Sequence, residues 1–275
     1  MNNRRNRIFV AGACATAAVL LAACGGGAES GTPVAESSTA ATQNHDTDSD
    51  ATDSPQTHSA PSGGASEESG LSAPYRAEEI PVSGSTGTVD YDVVIPQISG
   101  GNPAVVTEFN ESMRAALEDQ IQHSDDVSYT LSTQEHEVTR IGGHVVAGLL
   151  VTSYNANPPG AHPTPLVATV VVNTDTAAPI TLRDLFPDLQ AGLHRLSEQA
   201  ALLLPGTVAG PEFYPEGIAP EATNFANWLP TPEGMEIHFD DYQVGPHAIG
   251  LVTITVPWAN LSDVTDPYIA TVVAS

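Results

Sequence analysis

Between Gly25 and Ser72 the chain has no aromatic residue, and Val34 and Leu71 are its only branched aliphatic side chains. The stretch is Ser, Thr, Ala, Gly, Asp and Pro, so it has almost nothing to bury and cannot join a hydrophobic core. Anything that folds must come from the roughly 200 residues that follow, enough for one domain around a core. As a flexible coil the stretch has an r.m.s. reach of roughly 35 to 40 Å and reads as a disordered tether. The run Asp46, Asp48, Asp50, Asp53 inside it looks like the start of a calcium loop. It lacks the glycine at the sixth place and the closing glutamate, so it reads as solvated linker.

Ahead of the tether, Arg4, Arg5 and Arg7 precede an apolar run from Ile8 to Ala23, the layout of a signal peptide. That run is shorter than the roughly 20 residues a spanning helix needs. Leu21, Ala22, Ala23 and Cys24 have the small-residue pattern of a bacterial lipobox, in which the chain is cut before the cysteine and its thiol is acylated. The expected product is a lipoprotein, held on the extracytoplasmic face of the cell membrane through Cys24. Residues 1–23 are then the signal, 24–72 the lipidated cysteine and linker, and 73–275 the domain. Cys14 leaves with the signal and Cys24 is consumed by lipid, which leaves no thiol for a disulfide or for nucleophilic catalysis.

After the cut, five arginines face 33 acidic residues, a formal charge of −28, and there is no lysine. Such a surface repels nucleic acid and anionic headgroups and favours cationic partners or simple solubility.

Ordered sequence begins near Tyr75. Val89, Tyr91, Val93 and Ile95 alternate as a half-buried strand that Pro96 should end. Asn102-Pro103 opens an amphipathic helix with Val106, Phe109, Met113, Leu117 and Ile121 on one side. Strands are expected over 127–140 and 144–154, and the apolar run 166–172 reads as a central strand. Thr181 with Asp184 forms a capping-box-like start, and a second helix carries Leu182, Leu185, Leu189, Leu193, Leu196, Ala200 and Leu203, broken near Pro187. Strands return over 224–229, 235–239 and 249–256. Two helices among strands, out of regular βα alternation, argue for an α+β domain with a largely antiparallel sheet.

Two stretches, NPPGAHPTPLVATVVVNTDTAAPITLRDLF (157–186) and NFANWLPTPEGMEIHFDDYQVGPHAIGLVTITVPWANL (224–261), resemble the RsiV-type family of extracytoplasmic domains, a domain of unknown function. The family motifs are a GGAHP turn, a TL.DLF helix start, a Y.vGPYA.G turn and vPy..L. Residues 75–155 are similar to the companion segment that precedes this domain, and 156–265 bear the motifs. Secreted mycobacterial immunogenic proteins are also similar. The resemblance implies a β-grasp-like arrangement and, from the anti-sigma members, a receptor for lysozyme. Here only seven residues precede the apolar segment and no deacetylase domain follows, so neither sigma-factor inhibition nor deacetylation is expected. Pro159-Gly160 stands for the family's double glycine, and His247 for the tyrosine of GPYA.

Candidate chemistry gathers at the two turns. In the first, Gly160 permits unusual backbone angles while Pro159 and Pro163 fix the chain around His162. His162 is expected to hydrogen-bond across this turn. Tyr242 and His247 flank Val244-Gly245-Pro246 in the second, and Tyr154 precedes the first closely enough to lie near both. These four are the ligand-binding candidates. The histidines show no short metal-ligand spacing, and no G-x-S-x-G nucleophile turn is present, so neither a metal, a cofactor nor a catalytic residue is assigned. The leading expectation is a non-enzymatic binding or sensing module for a basic protein such as lysozyme, or for a cell-wall component. A wall-associated esterase or hydrolase and an envelope spacer are the alternatives.

Overall fold

The computed structural model describes residues 74–123 and 127–275. The expected signal peptide, Cys24 and the tether lie outside them.

Strand β1 (Arg76–Ser85) pairs antiparallel with β2 (Val89–Ser99). β1 escapes a reading by alternation because its residues are nearly all exposed and include Glu78, Glu79 and Pro81. β2 runs through Pro96 to Ser99, with Pro96 opposite Glu79 on the neighbouring strand, so the proline does not end it. Helix α1 (Pro103–Ile121) follows, its first turn capped by Asn102, whose side chain accepts from the Ala104 amide at 3.0 Å. The helix returns the chain so that β3 (Ser128–Ile141) pairs parallel with β2 over Val89–Asp92. β4 (Val145–Asn157) and β5 (Thr164–Asn173) then add antiparallel, and the two-residue β6 (Ala178–Pro179) closes a six-stranded sheet in sequence order.

β4 shows why this sheet is buried on both faces. Val146 and Leu150 point to a core with Phe109, Met113 and Leu117 of α1, whereas Val145, Ala147, Leu149 and Val151 point to a second core on the opposite face. Period two along the strand thus serves two cores. Gly148 lets α1 come close, because a Cβ there would sit 2.8 Å from the tips of both Phe109 and Met113. β5 divides its valines likewise, Val170 and Val172 to one core and Val171 to the other. Its continuous apolar run therefore reflects burial on both faces; in the sheet it is next to last, flanked by β4 and the short β6, and not central.

The second core is closed by a separate three-stranded sheet of β7 (Trp228–Pro230), β8 (Gly234–Phe239) and β9 (Val252–Pro257). The Trp228 amide donates to Thr169 Oγ1 on β5 at 3.1 Å. Helices α2 (Leu182–Leu185), α3 (Leu189–Leu203) and α4 (Pro267–Val273) pack around this core. The capping box forms: Asp184 accepts from the Thr181 amide at 2.8 Å and its own amide donates to Thr181 Oγ1. Asp188 caps α3, so the break falls at Pro187. Residues 222–225 form a 3-10 turn rather than a strand, and β9 begins at Val252 after a second such turn at His247–Ile249. The class is α+β, with a large, mostly antiparallel sheet and few helices. Among the described residues no helix is long and apolar enough to cross a membrane.

Candidate functional site

Two hairpin loops from different sheets meet. One, residues 158–163, joins β4 to β5; the other, residues 240–251, joins β8 to β9. His162 from the first and His247 from the second stack face to face, with ring centroids 3.5 Å apart and planes within 7°. The Tyr242 hydroxyl lies 3.3 Å from His162 Nε2, and its ring tilts beside both imidazoles at 6.3 and 5.8 Å. Three of the four residues singled out in the sequence therefore form one cluster.

Hydrogen-bond chemistry assigns the tautomers. His162 Nδ1 lies 3.2 Å from the Pro163 carbonyl, which can only accept, so Nδ1 carries the proton and in the neutral ring Nε2 accepts from Tyr242. The expected bond across the first turn is thus a bond to the adjacent carbonyl, and the contact that orders His162 is the one to the other loop. Both oxygens of Asp241 accept from His247 Nδ1, at 2.9 and 3.0 Å. The Asp241 side chain is only 2% exposed, so it fixes the ring from below and leaves Nε2 turned elsewhere.

Tyr242 adopts φ of 63°, a left-handed backbone that a bulky residue seldom takes, and it is 55% exposed. Folding therefore spends local backbone energy to hold an aromatic ring in solvent, a pattern met at functional sites. A lattice of hydrogen bonds holds the turn: Gln243 Nε2 donates to the carbonyls of Gly217 at 2.7 Å and Asn224 at 2.9 Å, and the Asp240 amide donates to Gln243 Oε1 at 2.8 Å. The Tyr214 amide donates to the Val244 carbonyl at 3.0 Å. Gly217 packs against the Gln243 carbonyl so closely that a Cβ would meet it at 2.0 Å. The segment 214–224, which carries no periodic signal, is what braces the site.

Asp240 accepts from the Asn227 side chain at 3.1 Å. Burial of its carboxyl, with the neighbouring Asp241 adding to it, pushes Asp240 up to about 6, against the Asn227 bond, which pulls the other way. The residue as a whole keeps solvent-exposed surface, through which water offsets part of that shift.

Tyr154 is placed differently. It lies opposite Thr164 across the β4–β5 pair, but its ring packs on Tyr129 at 4.5 Å and edge-on to His123 at 5.3 Å. It thus belongs to the α1 side of the sheet, and burial lowers the pKa of His123 beside it.

Stacked imidazoles hold their lone pairs in two parallel planes, so they do not converge on one ion at the roughly 2.1 Å that a zinc–nitrogen bond needs. Among the described residues no group of three or more His, Cys, Asp or Glu side chains is gathered as for a metal. Asp241 and His247 have the form of an orienting acid and a base, but no hydroxyl among the described residues hydrogen-bonds to His247 Nε2.

Residues 183–259 match the profile of a protein family of unknown function, DUF3298. No functionally curated protein is similar to the chain at a significant level. Among solved structures, a DUF3298 family protein from Pseudomonas aeruginosa PAO1 is 15% identical, with 70% of this chain and 95% of that one covered and a TM-score of 0.47. A DUF3298 family member from Bacteroides fragilis is 14% identical, with 73% and 98% covered and a TM-score of 0.46. The matched profile contains Tyr242 and His247 but not His162.

Proposed function

We propose that this chain is a cell-surface lipoprotein, anchored through Cys24, whose domain is a non-enzymatic binding or sensing module for a small basic protein such as lysozyme or for a cell-wall component. The observation that carries this reading is Tyr242, exposed on a left-handed backbone and backed by the His162–His247 stack. A rigid, half-exposed aromatic group is how recognition surfaces gain contact area at small entropic cost. The RsiV-type resemblance supports a protein ligand, and the five arginines against 25 acidic residues from position 73 onward would steer a cationic one.

Titration of the chain with lysozyme and with wall fragments tests this. Saturable binding is expected that weakens, but persists, between low and physiological salt. The pair His162→Ala and His247→Ala should weaken it more than neutralising acids in the linker does. Binding that follows ionic strength alone and ignores both histidines would reject the reading. A second reading, a wall-associated hydrolase, is favoured by the Asp241–His247 pair. An ester-substrate panel decides it, since turnover abolished by His247→Ala would establish catalysis.

A further inference from the structure

The three segments that build the site, 157–163, 211–224 and 240–250, contain neither arginine nor lysine, yet carry Glu212, Glu216, Glu221, Asp240 and Asp241. Three of the five described arginines are bonded elsewhere, Arg114 to Gln97, Arg140 to Ser275 and Arg195 to Asp263. Arg76 and Arg183 lie on β1 and α2. Among the described residues no arginine is paired with the acids of this face; the basic side chain that bonds one of them is His247, on Asp241.

Its tyrosines are unevenly exposed. Tyr242 is 55% exposed, and Tyr214, tied to the same turn through the Val244 carbonyl, is 41% exposed. Asp240 opens the four-residue turn that carries Tyr242, the Gln243 amide donating to the Asp240 carbonyl at 3.0 Å. Among the described residues one hydrogen bond reaches its carboxylate, from Asn227 to Oδ1, and Oδ2 is left for an incoming donor.

We infer that this face is a docking surface for a basic protein segment, and that it takes an arginine side chain, its guanidinium flat against the Tyr242 ring and paired with the Asp240 carboxylate. The inference deepens the binding reading above and rests on it. A planar guanidinium, unlike an ammonium, stacks on a ring and donates sideways to a carboxylate at once. A neutral glycan laid on Tyr242 would strip water from Asp240 beside the Asp241 carboxylate and give no charge in return, which costs binding energy. An incoming cation supplies that charge. The same environment, burial plus a neighbouring acid, already pushes Asp240 upward, as expected of a carboxylate whose counter-charge arrives with the partner.

The test compares octa-arginine with octa-lysine, which carry equal charge, titrated into the full chain at physiological salt by calorimetry or anisotropy. Octa-arginine is expected to bind more tightly. Tyr242→Asn removes the ring while keeping a residue that tolerates the left-handed backbone; it should weaken octa-arginine roughly ten-fold, the scale of an interface anchor, and erase the preference over octa-lysine. Tyr242→Phe should preserve both. Asp240→Asn should weaken octa-arginine, while Glu111→Gln, an exposed acid on α1, should leave it unchanged. Equal affinity for the two peptides, or indifference to Tyr242→Asn in a chain whose circular dichroism is unaltered, overturns the inference. If lysozyme binds through the two histidines while the peptides show no preference, the arginine assignment falls and the binding reading stands. If the arginine preference appears and lysozyme does not bind, the assignment stands and the choice of partner is revised.

Discussion

Gly217→Ala probes the brace beneath the site. An added Cβ would lie 2.0 Å from the Gln243 carbonyl oxygen and 2.7 Å from its carbon. Both are backbone atoms, so relief requires the chain at 243 to move by roughly 1.4 Å, since ordinary contacts begin near 3.4 Å. That carbonyl belongs to the residue whose side chain bonds the carbonyls of Gly217 and Asn224, and the next residue accepts from the Tyr214 amide. Losing two of these three bonds at about 1 kcal/mol each, with overpacking strain of about 1–3 kcal/mol, gives a destabilisation of about 3 to 5 kcal/mol. Chemical denaturation of the purified protein measures this. Gly206→Ala is the control: nothing lies within 4 Å of its Cβ, and a change within about 0.5 kcal/mol is expected. Because the displacement falls on 240–247, Gly217→Ala should also weaken partner binding at temperatures where the protein is still folded. A Gly217→Ala protein as stable as wild type, with unchanged binding, would refute the claim that segment 214–224 holds the site in place.

Further expectations concern charge, capping and anchoring. In the native state Asp240 ionises near 6, above its ordinary 3.8, so as pH rises the unfolded chain releases its proton first and the folded state loses stability between about pH 4 and 6. Asp240→Asn removes that loss, giving a gain over wild type that is absent below pH 4 and levels near about 1 kcal/mol above pH 6 after solvent screening; pH-resolved thermal melts showing no growing difference would contradict it. Thr181→Ala removes the N-cap of α2 and should cost about 1 kcal/mol in denaturant titration. Intact-mass analysis of the membrane fraction should find a chain beginning at Cys24 with diacylglycerol, lost in Cys24→Ala; an unprocessed chain with Met1 intact would exclude the anchor.

Residues with a single partner were the legible ones. α1 could be read from its apolar spacing and Asn102 cap, and the Thr181–Asp184 box from two residues three positions apart, because each is local chemistry. β1 was not, since a nearly wholly exposed edge strand has no alternation to show. The run 166–172 could not reveal its place in the sheet, because two-sided burial looks alike in a central strand and in one covered by a second sheet. α4 and the 3-10 turns at Ala222–Phe225 and His247–Ile249 depend on tertiary contacts more than on periodicity. At the site, unusual turn chemistry marks His162, Tyr242 and His247 in the sequence itself. Asp241 and Gln243 were not legible in their roles: one reads as half of an acidic pair and the other as a surface amide, and only folding puts the first beneath His247 and the second between Gly217 and Asn224. Tyr154 is close to the first turn along the chain, but its strand position turns the ring toward Tyr129 and His123.

The most direct test of the binding face is amide chemical-shift mapping of the labelled protein as lysozyme is added. The account predicts shifts or broadening concentrated in residues 157–163, 214–217 and 240–250, with α1 and β1 unaffected. Perturbations that centre on α1 or β1, or spread evenly over the acidic surface, would contradict it.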